Sequence, residues 1–269
     1  MTTVTEPTRR WVLLGASNLT RGLATAVSIA RETHRAPLDL MAAIGNGRSY
    51  GLYARLLGRG LPGIIQCGLW RDLEARPRLP TTALLTDVGN DVMYGAKVEE
   101  ILSWVETCLE RLAKHDAEVV VTGLPLVNLP KLGPIRYQVF RRLFFPRNRD
   151  NLAQVTERCL AVDSGVRSLA ERYGATFVEP RSEWYGLDPI HYRLRRWRAA
   201  WQAILVRDAA ATDDRAGSAS ASVSALDRSF FSWLRTRLWM PEERWLFGIA
   251  QRRAQPSVVL DDATRISIY

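Results

Sequence analysis

The stretch Trp11-Val12-Leu13-Leu14-Gly15-Ala16-Ser17 decides the fold of this chain. Its apolar part has the length of a buried strand, and Gly15-Ala16-Ser17 predicts a tight turn into a helical stretch from Leu19 to His34. The same order of strand, turn and helix returns further along the sequence. Such alternation is typical of βαβ units, which build a mainly parallel sheet.

Other short apolar runs fit strands at residues 38–44, 63–67, 82–87, 118–122 and 175–178. Patterns of helical period separate several of them and cover residues 49–57, 98–114 and 151–173. Helices on both faces of a parallel sheet make three layers. We therefore expect an α/β fold, with an α/β/α arrangement around a mainly parallel five-stranded sheet.

The composition changes near the C-terminal end. A helix rich in arginine and tryptophan is predicted at residues 193–206, and the Ala/Ser-rich stretch that follows is typical of a flexible linker. Pro241-Glu242-Glu243 is a good helix start, because proline is favoured at the first helical position. We expect a main domain at residues 1–207, a linker at 208–226 and an Arg/Trp-rich helical C-terminal extension at 227–269.

Charge and composition narrow the class of protein. The 269 residues are 47% hydrophobic and 24% charged, which excludes a disordered tail, a collagen-like fibre and a disulfide scaffold. There are 37 basic and 28 acidic residues, a net charge of +9, and almost all of the basic residues are arginines. Arginine binds phosphate and carboxylate groups, so an acidic substrate, an anionic surface or nucleic acid all fit the charge.

The cysteines and the hydropathy pattern indicate a reducing compartment. Cys67, Cys108 and Cys159 lie in separate apolar runs without metal-ligand spacing, so we expect reduced core residues and neither a metal nor a cofactor. The N-terminal residues lack an apolar segment, and no stretch has the length and hydrophobicity of a membrane span. We expect a cytoplasmic protein.

Four residues or pairs that suit catalysis follow predicted strands, where open parallel sheets bind ligands. They are Ser17, Gly47, Asn90 and the pair Asp188 and His191. Each has an ordinary structural explanation, as a helix cap, a turn glycine or an Asx turn. Together, however, they supply a nucleophile, a base with its orienting acid, and donors for an oxyanion.

In this order, and each after a strand, these residues resemble the four sequence blocks of the SGNH (GDSL-type) esterase and lipase superfamily. Gly89-Asn90-Asp91 and the Asp188-x-x-His191 spacing carry the resemblance best, although Ala16 stands where an acidic residue is usual. The resemblance implies a flavodoxin-like fold and a serine esterase acting through an acyl-serine. Ser17 would be the nucleophile, His191 the base and Asp188 its partner.

The resemblance also implies that Ser17, Gly47 and Asn90 form the oxyanion hole. Four further residues near the motifs are predicted to contact the substrate: Arg48, Asp91, Tyr94 and Trp184. Residues 130–150 interleave aromatic and arginine side chains, which fits either a lid over the site or a surface helix with an apolar underside.

Other functions remain open at this point. The same site would serve an acyltransferase or a thioesterase. The chain would alternatively be a binding protein whose basic, Trp-rich C-terminal extension contacts an anionic membrane surface or a partner. An α/β-hydrolase is disfavoured, since Leu19 stands where its nucleophile elbow needs glycine. A dinucleotide loop is disfavoured, since Tyr50 replaces its third glycine. We expect a small-molecule ester as substrate, no nucleic acid, and a membrane or a second copy as further partners.

Overall fold

The computed structural model describes most of the chain. The described ranges are 6–34, 37–56, 58–127, 132–145, 148–186, 188, 190–206 and 240–269. The predicted linker at residues 208–226 lies outside them, and so does the part of the predicted C-terminal extension that precedes residue 240.

The secondary structure of the described residues alternates as the sequence predicts over most of its length. The strands are β1 (Arg9–Leu14), β2 (Leu38–Ala43), β3 (Ala54–Leu56), β4 (Arg59–Leu61), β5 (Thr81–Leu85), β6 (Glu118–Thr122), β7 (Thr176–Val178), β8 (Glu243–Leu246), β9 (Ile249–Arg252), β10 (Val258–Val259) and β11 (Arg265–Ile268). The helices are α1 (Ser17–His34), α2 (Leu69–Ala75), α3 (Asn90–Met93), α4 (Val98–Ala113), α5 (Pro134–Phe144), α6 (Leu152–Arg172) and α7 (Trp197–Leu205).

The central sheet has the strand order β10-β11-β2-β1-β5-β6-β7. The five strands β2, β1, β5, β6 and β7 are parallel, which confirms the predicted α/β class and its mainly parallel sheet. β11 adds a sixth parallel strand beside β2, and β10 pairs antiparallel with β11 at the edge. A second, antiparallel sheet has the order β3-β4-β8-β9.

The alternation of side chains along each central strand produces two cores, one on each face of the sheet. In β1, Trp11 and Leu13 pack with α1 and α7, whereas Val12 and Leu14 pack with α2, α4 and α6. All four side chains are almost fully buried. The helices therefore lie on both faces, in the expected three layers. Cys67, Cys108 and Cys159 are free and buried, as predicted for reduced core residues.

Two elements before β5 differ from the prediction. The run Gly63–Cys67 is not a strand, because Ile64–Gln66 form a short 3₁₀ helix whose Ile64 and Ile65 N–H groups donate to the carbonyls of Ser49 and Tyr50. The helix predicted at residues 49–57 is not formed over its described part, residues 49–56, either. The Ser49 hydroxyl accepts the N–H groups of Gly51 and Leu52, and that turn leads directly into β3.

The described part of the C-terminal extension is a correction to the prediction, since residues 240–269 form strands and no helix. Phe247 and Gly248 both have positive φ angles, of 48° and 86°, which close β8 and β9 into a tight hairpin. β8 then pairs with β4, and β11 with β2. Pairing with these distant strands overrides the helix-start signal at Pro241-Glu242-Glu243, which reflects only local preference.

The helices each bury one side only. α6 is 21 residues long and buries one apolar stripe that includes Val155, Val162 and Val166. α5 occupies part of the predicted lid region, with Tyr137 buried in the core and its hydroxyl donating to the carbonyl of Asp150 at 2.8 Å. Over the described ranges, none of the helices combines the length and the hydrophobicity that crossing a membrane requires.

Candidate active site

Ser17 lies where β1 ends and α1 begins, at the carboxyl edge of the central sheet. Gly15 makes the turn tight: a Cβ there would come within 2.7 Å of a Thr86 side-chain carbon. The turn brings the Ser17 Oγ to 3.0 Å from Nε2 of His191, across 174 positions of sequence. Two residues predicted from separate motifs are thus in hydrogen-bond contact.

The His191 ring is oriented by Asp188. Its Nδ1 lies 2.6 Å from Oδ2 of Asp188, so Nδ1 carries the proton and Nε2 is left to accept from the serine hydroxyl. Burial raises the pKa of Asp188, but hydrogen bonds from His191 and from the Ile190 and His191 N–H groups outweigh that effect and hold it below its ordinary value. Asp188 is therefore an ionised acceptor at neutral pH, and it aligns the imidazole.

A carboxylate that the sequence analysis did not assign holds the serine turn. Oδ2 of Asp87, just after β5, accepts the N–H groups of Ala16 and Asn18 at 3.0 Å and of Leu19 at 3.2 Å. The Ser17 N–H, between them, has no acceptor among the described residues. Asp87 thereby leaves that one donor free at the start of the helix. Its φ of +63° is a conformation that aspartate tolerates better than most residues.

Asn18 ties the serine turn to the histidine segment. Its side-chain amide donates to Oδ1 of Asp87 at 2.9 Å and to the carbonyl of Ile190 at 2.9 Å. Its side-chain oxygen accepts the N–H of Tyr192 at 3.1 Å. These bonds fix both flanks of His191 relative to Ser17. Asp87 follows a strand, and this position indicates a functional residue. The direction of its side chain, however, depends on a backbone conformation that the sequence does not display.

Asn90 begins α3, directly after the end of β5. Its Nδ2 is buried and has no hydrogen-bond partner among the described residues. An unpaired buried donor costs free energy, which structures rarely tolerate without a reason. A ligand oxygen would satisfy this amide.

Gly47 lies in the segment between β2 and β3 with a φ of +67°. A Cβ at this position would come within 2.8 Å of a Leu56 methyl group and 3.1 Å of the Tyr94 hydroxyl, so only glycine fits. The Tyr94 hydroxyl donates to the Gly47 carbonyl at 2.6 Å. Burial raises the pKa of Tyr94 to about 12, which keeps this hydroxyl protonated.

Two buried side chains, those of Asp91 and Arg48, hold the same segment. The fully buried Asp91 carboxylate accepts the Ser49 hydroxyl and the Tyr50 N–H, and burial raises its pKa to about 7. The buried Arg48 guanidinium donates to the carbonyls of Ile44 and Pro62 and to that of Tyr269. Both side chains hold the Gly47 segment in place.

Three of the four residues that are predicted to contact the substrate lie buried inside the protein. Arg48, Asp91 and Trp184 have side chains that are at most 3% exposed, and each packs inside the protein. The Trp184 ring stacks edge to face on Tyr192 with 5.8 Å between ring centroids. No surface of these three is left for a substrate, because their neighbours on the protein occupy it. Of the four, only Tyr94 is partly exposed, and its hydroxyl contacts the Gly47 carbonyl.

A pocket adjoins this arrangement, and most of its lining was not singled out from the sequence. Thr20 of α1, Asn46 directly before Gly47 and Leu56 of β3 line it. Arg59 of β4 and Arg244 of β8 lie on the side of the second sheet. The pocket therefore exists only where both sheets meet, which local sequence patterns do not reveal.

Comparison with known proteins gives structural likeness alone. No family model and no curated protein matches the sequence. Among solved structures, the inhibitor-bound M. smegmatis aryl esterase is similar at 12% identity and a TM-score of 0.49, over 72% of this chain and 95% of that one. The esterase EstA from Pseudoalteromonas sp. is similar at 13% identity and 0.39, over 84% and 98%.

AlinE4, an SGNH-hydrolase family esterase, is similar at 15% identity and a TM-score of 0.42, over 87% of this chain and 99% of that one. At these identities the likeness concerns the fold, and the chemistry depends on the residues described above.

Proposed function

We propose that the protein is an SGNH-type serine esterase that hydrolyses carboxylic esters through an acyl-serine intermediate. One observation carries the proposal: Asp188, His191 and Ser17 form a continuous chain of hydrogen bonds of 2.6 and 3.0 Å. A nucleophile, a base in contact with it and an acid that orients the base are the parts that acyl transfer to a serine needs.

In the acylation step, the Ser17 hydroxyl attacks the ester carbonyl while its proton moves to Nε2 of His191. The ionised Asp188 stabilises the imidazolium that forms. The tetrahedral intermediate then collapses, and His191 returns the proton to the departing alcohol. This leaves the acyl group on Ser17 Oγ and a neutral imidazole.

The negative charge on the carbonyl oxygen needs donors that are fixed in advance. The Ser17 N–H and the Asn90 amide are both without acceptors among the described residues, which supports this role. The Gly47 N–H is the third candidate, and its positive φ and the Tyr94 hydrogen bond hold it in one orientation. Preformed donors of this kind stabilise the transition state without reorganisation.

In the second step, His191 removes a proton from water, and the hydroxide attacks the acyl-serine. Collapse of the second tetrahedral intermediate releases the carboxylic acid and restores the Ser17 hydroxyl with the proton from His191. Hydrolysis therefore yields one acid for each alcohol released.

The test measures 4-nitrophenyl acetate turnover in Ser17→Ala and His191→Ala. We expect kcat/KM to fall by a factor on the order of 10⁴ or more in each. Ser28→Ala is the matched control, since its hydroxyl lies on the same helix and donates to Glu32 at 2.8 Å. It should keep full activity. Unchanged turnover in Ser17→Ala, with an unchanged circular dichroism spectrum, would overturn the proposal.

A fluorophosphonate probe identifies the nucleophile independently of the substrate. The wild type and Ser28→Ala should be labelled at Ser17, and Ser17→Ala should not be labelled. The acid and the 4-nitrophenol should appear in equal amounts. Label on a different serine, or transfer of the acyl group to an added alcohol without free acid, would contradict a hydrolase acting through Ser17.

A further inference from the structure

The pocket beside Gly47 is positioned to receive part of a substrate bound at Ser17. Thr20 lies one helical turn after Ser17, and its hydroxyl donates to the Ala16 carbonyl at 2.5 Å. Asn46 directly precedes Gly47, and a Leu56 methyl group approaches the position where a Gly47 Cβ would be. Thr20 and Asn46 therefore place the pocket next to the serine turn and the Gly47 segment, although Ser17, Gly47, Asn90 and His191 are not among its lining residues.

Two arginines of the second sheet line the pocket. Arg59 on β4 pairs in register with Leu246 on β8, and Arg244 precedes Leu246 by two positions. Side chains two apart on a strand share a face, so Arg59 and Arg244 are diagonal neighbours on the same side of the second sheet. Burial lowers the pKa of Arg244, and the Arg59 charge lowers it further, as expected for close guanidinium groups.

Neither of these arginines has a carboxylate partner among the described residues. Within the described ranges, the Arg244 side chain donates to the side-chain oxygen of Gln251 at 2.6 Å. Other arginines around the C-terminal segment do form ion pairs, for example Arg265 with Glu6 and Arg31 with Asp262. Arg59 is exposed and Arg244 is half-buried, so the two guanidinium groups present uncompensated positive charge at the pocket, which attracts an anion.

The rest of the pocket sets a second requirement. Its remaining lining is largely apolar: Ile44, Ala54, Leu56, Leu61, Pro241 and Ile268. An aliphatic spacer therefore fits this part of the lining. A short hydrocarbon segment that ends in an anionic group satisfies both parts of the lining.

We propose that Arg59 and Arg244 bind an anionic group, a carboxylate or a phosphate, of the ester that Ser17 attacks. The inference rests on the proposed esterase function and narrows its substrates to acidic esters. Guanidinium groups suit both anions, because they donate two parallel N–H groups to a pair of oxygens. The two classes of anion differ in which part of the ester carries them.

The first experiment compares 4-nitrophenyl esters that differ only in the terminal charge. The mono-4-nitrophenyl esters of succinate, glutarate and adipate are matched with those of butyrate, pentanoate and hexanoate, and the rate with Ser17→Ala is subtracted as background. We expect the wild type to prefer an acidic ester in kcat/KM. Arg59→Gln and Arg244→Gln should each reduce the ratio of acidic to neutral kcat/KM about tenfold or more.

The control is Arg252→Gln, which removes an exposed arginine of the same hairpin that lies outside the pocket lining. It should preserve the ratio. A parallel series compares 1-acetylglycerol 3-phosphate with 1-acetylglycerol, so that a phosphate on the alcohol part is distinguished from a carboxylate on the acyl part. An unchanged ratio in both series for Arg59→Gln and Arg244→Gln would overturn the proposal.

A binding measurement separates this proposal from the esterase proposal. In the Ser17→Ala background, glutarate and inorganic phosphate are titrated by calorimetry with and without Arg244→Gln. We expect binding of at least one anion that Arg244→Gln weakens about tenfold or more, whether or not the wild type hydrolyses esters. If neither glutarate nor inorganic phosphate binds, the proposed anion site is contradicted, even if Ser17 proves catalytic.

Discussion

Residues 6–206 and residues 240–269 contribute to the same two sheets in different ways. The first region supplies the five parallel strands that the sequence predicts, along with Ser17, Asn90 and His191 at their ends. The second region supplies β8 to β11, of which β8 pairs with β4 and β11 with β2. The first region thus contains the residues that we assign to catalysis, whereas the second completes the sheet edge and lines part of the pocket.

We therefore expect that substitutions can change the ester turnover and the stability of the fold separately. A change at the strand ends of the first region should alter turnover and leave the fold intact. A change in β11 should alter stability and leave the reactive groups in place. Variants of each kind test the division.

Among the variants that test this division, Asn90→Ala in the first region is expected to have the largest effect. The variant removes an amide that we assign to the oxyanion, so kcat for 4-nitrophenyl acetate should fall on the order of 10²- to 10³-fold. The melting temperature should stay the same or rise, because the lost Nδ2 is buried without a partner in the described structure. Stopped-flow or steady-state kinetics and a thermal melt measure the two quantities.

A lower melting temperature with unchanged kcat would contradict this assignment and would make Asn90 a structural residue. The variant thus tests whether the strand end after β5 is part of the chemistry. It also tests whether an unpaired buried donor can serve as a signal for a catalytic group.

Ile266→Ala should have the next largest effect, and it concerns the second region. Ile266 is fully buried in β11 and packs in the core between the sheet, α1 and α7. Loss of the side chain should lower the free energy of unfolding by about 3 kcal/mol, measured by urea denaturation. The exposed Val259 on β10 is the control, and Val259→Ala should change the free energy by less than about 0.5 kcal/mol.

If Ile266→Ala were as mild as Val259→Ala, the second region would not be part of the core, and the comparison between the regions would fail. The ester-hydrolysis rate of the folded Ile266→Ala variant should stay near that of the wild type. A large loss of turnover there would show that the two regions are coupled through the site.

The sequence predicts the parallel strands of the first region because their signals are local. The run Trp11–Leu14, the turn at Gly15 and the helix after Ser17 lie within one short segment, and each βα unit repeats this order. It was insufficient for β8 and β11, because their partners β4 and β2 lie about 180 or more residues earlier. Pairing across such distances depends on tertiary packing.

The site shows the same limit on a smaller scale. Ser17 and His191 were predictable from residue type and position after a strand, and they are in contact. Arg48 and Asp91 share that position but point into the protein, because sequence position does not fix side-chain direction. The functional position of Asp87 is not predictable for the same reason. The hydrogen bonds that it accepts from the serine turn depend on its left-handed backbone conformation.

The smallest expected effect is a pH dependence where the two regions meet, at the Gly47 segment that Asp91 and Arg48 hold. Asp91 has an ordinary pKa of 3.8 in an unfolded chain and, through burial, about 7 in the folded one. Between these values the folded chain binds a proton that the unfolded chain does not. The stability contributed by Asp91 is therefore fully present below about pH 4 and is lost as the pH rises through about 7.

Asp91→Asn removes this titration, so the difference in unfolding free energy between wild type and variant isolates it. From pH 5 to pH 8 the wild type should lose about 2 to 3 kcal/mol relative to Asp91→Asn, measured by urea denaturation at each pH. Ser49→Ala sharpens the test, because the Ser49 hydrogen bond lowers the pKa of Asp91 and its loss should shift the transition to higher pH. A difference that stays constant from pH 5 to pH 8 would mean that Asp91 is already ionised in the folded chain, and that the Gly47 segment is held by a charged carboxylate throughout.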